Sequence, residues 1–261
     1  MTTGEPLIRF RGVKKAFGPK VVFGGLDLDI HAGESITIIG GSGVGKSVML
    51  KLLIGLMKAD SGSITFHGEE ITTMSGRALD VLRQRIGMLF QGAALFDSIS
   101  VGANVAYGLQ EHFYRQMDAR EIRERVTWAL SLVGLPGVED MRPSDLSGGM
   151  KKRVGLARAI ATKPEVILYD EPTTGLDPVN TTRINHMILG LKKALAITTV
   201  VVTHDMQSAF LVSDRLAMVH RGRIIASGTP DEFRAMIDQR VLDFIRGNAP
   251  PNEDVATLLG E

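Results

Sequence analysis

Residues 40–47 read "GGSGVGKS". They follow "ESITII" at 34–39, an apolar run that predicts a buried strand. They lead into "KSVMLKLLIGLM" at 46–57, which is apolar almost all round and predicts a buried helix. Strand, glycine loop and helix in that order make a phosphate cradle. The stretch matches G-x-x-x-x-G-K-[ST], with Gly40, Gly45, Lys46 and Ser47 in the fixed places. Glycines let the backbone turn so that successive N–H groups point into one concavity. The helix start adds its positive dipole end. Gly41, Ser42, Gly43, Val44 and Val48 complete the predicted nucleotide-contacting run. Lys46 is placed to bridge β- and γ-phosphates, and the Ser47 hydroxyl to ligate Mg²⁺.

A phosphate loop alone leaves many nucleotide hydrolases open, and the second half comes from "VILYDE" at 166–171. Asp170 ends a hydrophobic strand, where an acid can hold Mg²⁺, usually through water. Glu171 follows at the strand tip, where it can polarise an attacking water as a catalytic base. Farther on, "LSGGM" at 146–150 precedes the good helix sequence "KKRVGLARAIA". Ser147 resembles an N-cap, and Gly148 and Gly149 permit close approach to the helix start. The chain thus carries two loops suited to anions.

The remaining pattern is an α/β one. "TTVVVT" at 198–203 and "IGMLF" at 86–90 are short apolar runs that suit central strands of a parallel sheet. "RLAMVH" and "RIIASG", separated by Arg221-Gly222, predict a late hairpin. "LIRFRGVKKAF" near the start alternates and predicts an antiparallel edge element. In "AREIRERVTWALSLVGL", Ile122, Val126, Ala129, Leu130 and Val133 share one helical face, and 92–162 reads as a mostly helical insertion. In "FRAMIDQRVLDFIRG" at 233–247, Met236, Val241, Phe244 and Ile245 either dock a partner or pack on the end of the core.

Composition narrows the classes. The 261 residues are 44% hydrophobic with a net charge of +1, which gives no pull toward nucleic acid. There is no cysteine, so disulfides and thiolate chemistry are excluded. No apolar run approaches the ~20 residues of a membrane helix.

The ordered set "GGSGVGKS", "LSGGM…R…LARA", "ILYDEPTTGLD" and "VVTHD" resembles the nucleotide-binding subunit of ABC transporters, over roughly residues 7–230. The resemblance implies a P-loop NTPase core with a mainly parallel sheet, an N-terminal antiparallel β subdomain and an inserted α-helical subdomain at about 92–162. It implies one ABC ATPase domain over 1–247 and a C-terminal extension over 248–261. ATP and Mg²⁺ are the implied ligands. The family also explains the two loops. Two copies pair head to tail, and the phosphate loop of one and the signature loop of the other enclose one ATP.

Further roles are implied residue by residue. Gln91 resembles the residue that senses Mg²⁺ or the attacking water at the hinge to the helical insertion. His204 resembles the switch histidine that contacts the γ-phosphate, and Asp177 the residue that speaks across the dimer. Phe17 in "KKAFG" resembles the aromatic that stacks on adenine. One departure is Met150, where the family's signature usually ends in Gln; a thioether donates no hydrogen bond.

The run 88–112, "MLFQGAALFDSISVGANVAYGLQEH", together with "RVLDFIRG" at 240–247, is similar to ATPases of Mla/Mce-type lipid transporters. That similarity implies a homodimer on the cytoplasmic face of a bacterial inner membrane, under a permease dimer. An MCE-domain protein stands outside, and some members add a STAS-domain protein. An importer ATPase for a polar solute and a non-transport ABC ATPase are the alternatives.

Overall fold

A computed structural model describes residues 4–113 and 116–248. The expected extension beyond residue 248 lies outside the described residues. In chain order, the elements begin with β1 (Ile8–Phe17), β2 (Lys20–Ile30), β3 (Ser35–Ile39), α1 (Lys46–Leu53), β4 (Ser61–Phe66) and β5 (Glu69–Glu70). They continue with α2 (Arg77–Arg85), β6 (Ile86–Leu89), α3 (Val101–Phe113), α4 (Ala119–Leu132), α5 (Gly148–Ile160) and β7 (Val166–Asp170). The last are α6 (Pro178–Leu195), β8 (Thr198–Thr203), α7 (Met206–Val212), β9 (Arg215–His220), β10 (Arg223–Gly228), α8 (Pro230–Arg234) and α9 (Gln239–Arg246).

Two sheets organise the chain. The antiparallel sheet runs β2-β1-β4-β5, and the second runs β10-β9-β3-β8-β7-β6. In the second sheet every pairing is parallel except that of the terminal hairpin β9–β10. The edge position expected for the first strand is corrected: β1 is flanked by β2 and β4. Its alternation reports one solvated face, with Ile8, Phe10 and Val13 turned inward, not an unpaired side. Helix α1 also ends sooner than its apolar run. It stops at Leu53 because Gly55 takes a φ of 64°.

Strands β3, β7 and β8 are buried along their whole length. Successive side chains leave opposite faces of a strand, so each central strand feeds two cores. Ile36, Ile38, Leu168 and Val202 join β1, β2 and α1 in one cluster. Ile167, Tyr169 and Val201 join α3, α4 and α5 in another. The helical face read from 119–135 faces that second cluster, with Val126, Ala129, Leu130 and Val133 buried and Ile122 packed against it. A third cluster gathers Ile39, Met218, Phe233 and Val241, with Met236, Phe244 and Ile245 partly buried on it. These last residues therefore pack at the end of the core.

Candidate nucleotide-binding site

Helix starts are the key to the site. Helices α4 to α9 each begin with a capping side chain: Asp118, Ser147, Asp177, Asp205, Thr229 and Asp238. Helix α1 begins at Gly45 with no side-chain cap and no acid in its first turn. Its free N–H groups and dipole end are left for an anion. Gly45 takes a φ of 104°, and a Cβ there would sit 2.4 Å from Val22 and 2.9 Å from the Phe23 ring. Only glycine fits this turn.

The loop opens into a cleft of about 380 Å³ lined by Ser42, Gly43, Gly45, Lys46, Ser47 and Val48. Phe17, Lys20 and Val22 from the antiparallel sheet close one side, and Gln91, Glu171 and His204 the other. The Phe17 ring is 46% exposed at the end of β1, so it is available to a planar group and is not a core residue. Gly40, Gly41 and Val44 do not line the cleft; the carbonyls of Gly40 and Gly41 accept from Lys46 Nζ at 2.8 and 3.1 Å.

The acids sit at the ends of strands. Ser47 donates to Asp170 Oδ1 at 2.7 Å, joining the helix start to the end of β7. Burial raises the Asp170 pKa, against the lowering effect of that hydrogen bond. A half-buried hydroxyl beside a buried carboxylate is a donor set suited to a divalent cation. Lys46 is buried, and burial lowers its pKa while the nearby Glu171 raises it; the two lie 3.6 Å apart. Glu171 Oε2 accepts from Thr174 and Thr203 hydroxyls at 3.2 and 3.3 Å and lies 2.9 Å from His204 Nδ1. Glu171 adopts a φ of 48°, costly for a residue with a side chain. Its N–H donates to the Val202 carbonyl at 2.9 Å.

The structure thus brings Phe17, Ser42, Gly43, Gly45, Lys46, Ser47, Val48, Gln91, Asp170, Glu171 and His204 together. It does not bring Ser147, Gly148, Gly149 or Asp177 to them within one chain. Those residues form a second group, with Ser147, Gly148 and Asp177 exposed and Gly149 buried beside them. Ser147 caps α5, accepting from Met150 N–H at 3.3 Å, and Asp177 caps α6. A Cβ at Gly149 would lie 3.0 Å from Asn180 Oδ1, so the two helix starts stand side by side. Met150 serves the cap with its backbone and packs its side chain on the helical core, so the missing Gln side chain is not needed for the turn.

Sequence reasoning missed several site residues. Lys20 and Val22 carry no motif, and Gly24 and Gly25 break the strand pattern of the segment that holds them. Thr203 precedes His204 and was visible as a hydroxyl at a strand tip. Lys152 is buried and donates to the Glu171 carbonyl at 3.2 Å. Its signal was a basic residue in the turn after the glycines.

A profile described as ABC transporter matches residues 23–174. The chain is 38% identical over 245 residues to the intermembrane phospholipid transport system ATP-binding protein MlaF of Haemophilus influenzae, covering 94% of this chain and 92% of that one. It is 39% identical over 249 residues to the probable ribonucleotide transport ATP-binding protein mkl of Mycobacterium tuberculosis, covering 94% and 69%. Among solved structures it is similar to a dimeric ATP-binding cassette in a post-hydrolysis state bound to ADP and phosphate, with a TM-score of 0.78 and 29% identity over 85% of this chain and 98% of that one. The capless glycine turn, the paired Ser47 and Asp170, and these matches converge: the chain belongs to the ABC transporter family, as its ATP-binding and ATP-hydrolysing cassette.

Proposed function

We propose that the chain powers phospholipid transport across a bacterial envelope, as a homodimer beneath a membrane permease. The observation that carries the dimer is the split of the site. The cleft of one chain holds phosphate-binding and water-activating groups, while Ser147–Gly149 lie on another surface. A head-to-tail pair unites them twice, as two loops per chain require. The matched cassette of known structure is itself dimeric. The lipid cargo is favoured by MlaF, of which the chain spans 92%, over the mkl protein, of which it spans 69%.

In this reading Phe17 stacks on adenine and the α1 start binds phosphates. Ser47 and Asp170, with Gln91, would hold Mg²⁺, which would neutralise phosphate charge. Lys46 leaves the Gly40 and Gly41 carbonyls for phosphate oxygens. Glu171, held by Thr174, Thr203 and His204, orients the attacking water and takes its proton. His204 then stands over the γ-phosphate, and Asp177 and Ser147–Gly149 reach the partner. Residues 1–247 act as one cassette, whose helical part at about 92–162 moves with closure.

No helix among the described residues is long and apolar enough to cross a membrane, so a permease supplies the path. Its docking place is the groove of about 460 Å³ between β6, α3 and α5. Phe96 and Tyr107 line it, 44% and 43% exposed, with ring centroids 4.8 Å apart. The assembly sits on the cytoplasmic face of the inner membrane, with an MCE-domain protein outside and a STAS-domain protein as an accessory. The test is purification through a tag on this chain from native membranes in mild detergent. A permease, an MCE-domain protein and bound phospholipid are the expected companions. A permease with neither an MCE-domain protein nor lipid selects a polar-solute importer, and no membrane partner overturns the transport role.

A further inference from the structure

Helix α5 carries two features on one face. Its start is the Ser147–Gly149 loop, and Lys152, four residues after Gly148, lies one turn farther along the same side. Lys152 is only 6% exposed, an uncommon place for an ammonium group. Its Nζ donates to the backbone carbonyl of Glu171 at 3.2 Å. That acceptor belongs to the residue held at a φ of 48°, a conformation the surroundings must impose. The other ties on Glu171 come from Lys46 on α1, from Val202, Thr203 and His204, and from Thr174, whose N–H donates to the same carbonyl at 3.3 Å. Lys152 is the tie that comes from the helix bearing the signature loop. The same helix grips the segment after Gln91, where Arg158 donates to the carbonyls of Ala93 and Ala94 at 2.8 and 2.7 Å.

We propose that Lys152 is a positioning residue that couples the two ATP sites of the dimer. It ties the helix whose start reaches the partner's ATP to the backbone of Glu171, which serves the chain's own ATP. The inference rests on the head-to-tail reading above. Seating of Ser147–Gly149 at one site moves α5, and Lys152 with it. The carboxylate of Glu171 at the other site is thereby brought into line or released. A misplacement of about 1 Å at a reacting group costs on the order of 10²-fold in rate, so one hydrogen bond to this carbonyl is enough to gate turnover.

The test uses the full chain with Lys152→Met, which keeps length and removes the donor. Turnover is measured against ATP concentration, with thermal melting alongside. The expected result is a kcat lowered about 10- to 100-fold, a KM for ATP within about threefold, and a melting temperature near that of the wild type. The Hill coefficient should fall from above 1 to about 1. Lys152→Arg, which keeps a buried cationic donor, should restore kcat and cooperativity. Lys152→Leu, which also lacks a donor, takes the place of Lys152→Met if the latter does not fold.

Wild-type kcat and Hill coefficient in Lys152→Met overturn the proposal. So does a non-cooperative wild type, a joint loss of kcat, KM and melting temperature, or failure of the arginine variant to rescue. The dimer reading is checked separately by the size of Glu171→Gln with ATP. A monomer there refutes the head-to-tail pairing itself. A dimer, together with normal turnover in Lys152→Met, refutes only the role of Lys152.

Discussion

Replacing Glu171 by Gln changes one oxygen to an amide nitrogen and barely alters volume, so its effect isolates chemistry from packing. Oε2 accepts from Thr174 and Thr203, and Oε1 faces Lys46 Nζ at 3.6 Å. The Gln oxygen must take the accepting place, which turns its NH₂ toward an ammonium. Lys46 retains the Gly40 and Gly41 carbonyls, so the loss is about 1–2 kcal/mol of stability. In a chain of this size that is roughly 2–8 °C in Tm. Turnover loses its base, a factor of about 10²–10⁴, or about 2.7–5.5 kcal/mol on the barrier. ATP affinity rests on the α1 start and the phosphate loop, and should change by less than about threefold, under ~0.7 kcal/mol. Phosphate release at saturating ATP, nucleotide titration and thermal melting measure the three quantities. Turnover within tenfold of wild type, with binding intact, refutes Glu171 as the base. A loss of binding in proportion to turnover makes it a binding residue instead.

Further outcomes follow from other sites. Phe96→Asp or Tyr107→Asp should leave the isolated chain's ATPase activity within about twofold and reduce coupled transport at least ~10-fold; unchanged transport in reconstituted vesicles rules out the groove as the docking place. Tyr169 is fully buried, and its hydroxyl has no hydrogen-bond partner among the described residues. Burial pushes its pKa up, and Tyr169→Phe should raise stability by about 1 kcal/mol, since an unsatisfied hydroxyl costs about 1–3 kcal/mol to bury. A lower denaturation midpoint would mean the hydroxyl is bonded in solution. Glu165 has its pKa held below 4.5, first by the Arg85 side chain and then, after the opposing effect of burial, by His67. A depressed carboxylate contributes stability above its unfolded pKa and loses it as pH falls through the folded value. Glu165→Gln should therefore be less stable at neutral pH, by under ~1 kcal/mol for so exposed a pair, and the gap should close as pH falls below 4.5. A gap that persists into strong acid contradicts the ion pair as its source.

What the sequence showed and hid has a physical pattern. The run from Ser35 to Ser47 was legible because strand, turn and helix are local and the glycines have one use there. Asp170 and Glu171 were legible because a buried strand cannot end in two acids without a purpose. The place of β1 was not, since alternation reveals which face is wet and says nothing of which strands lie beside it. Strand β2 escaped because Gly24 and Gly25 interrupt its apolar pattern, and its pairing with β1 supplies what propensity lacks. The end of α1 was overrun because Ile54 and Met57 stay apolar for packing after Gly55 has turned the chain. Lys152 was hidden because its partner is a carbonyl, and carbonyls leave no trace in a sequence.

The order of strands also sets a timetable for biosynthesis. Strand β3 precedes the phosphate loop, yet its neighbours are β8 and β9. Ser35 pairs with Thr199, and the hydrogen-bonded side chains of the two residues are 164 positions apart. At roughly 5–20 residues per second, a ribosome needs about 8–30 s after making β3 to deliver the strand that closes over it. Throughout that interval a nascent "SITII" has no native partner on either side. The strand that leads into the glycine loop thus waits longest for its neighbours in the parallel sheet, and slowing synthesis between β3 and β8 should lower the yield of folded protein more than slowing it after β9.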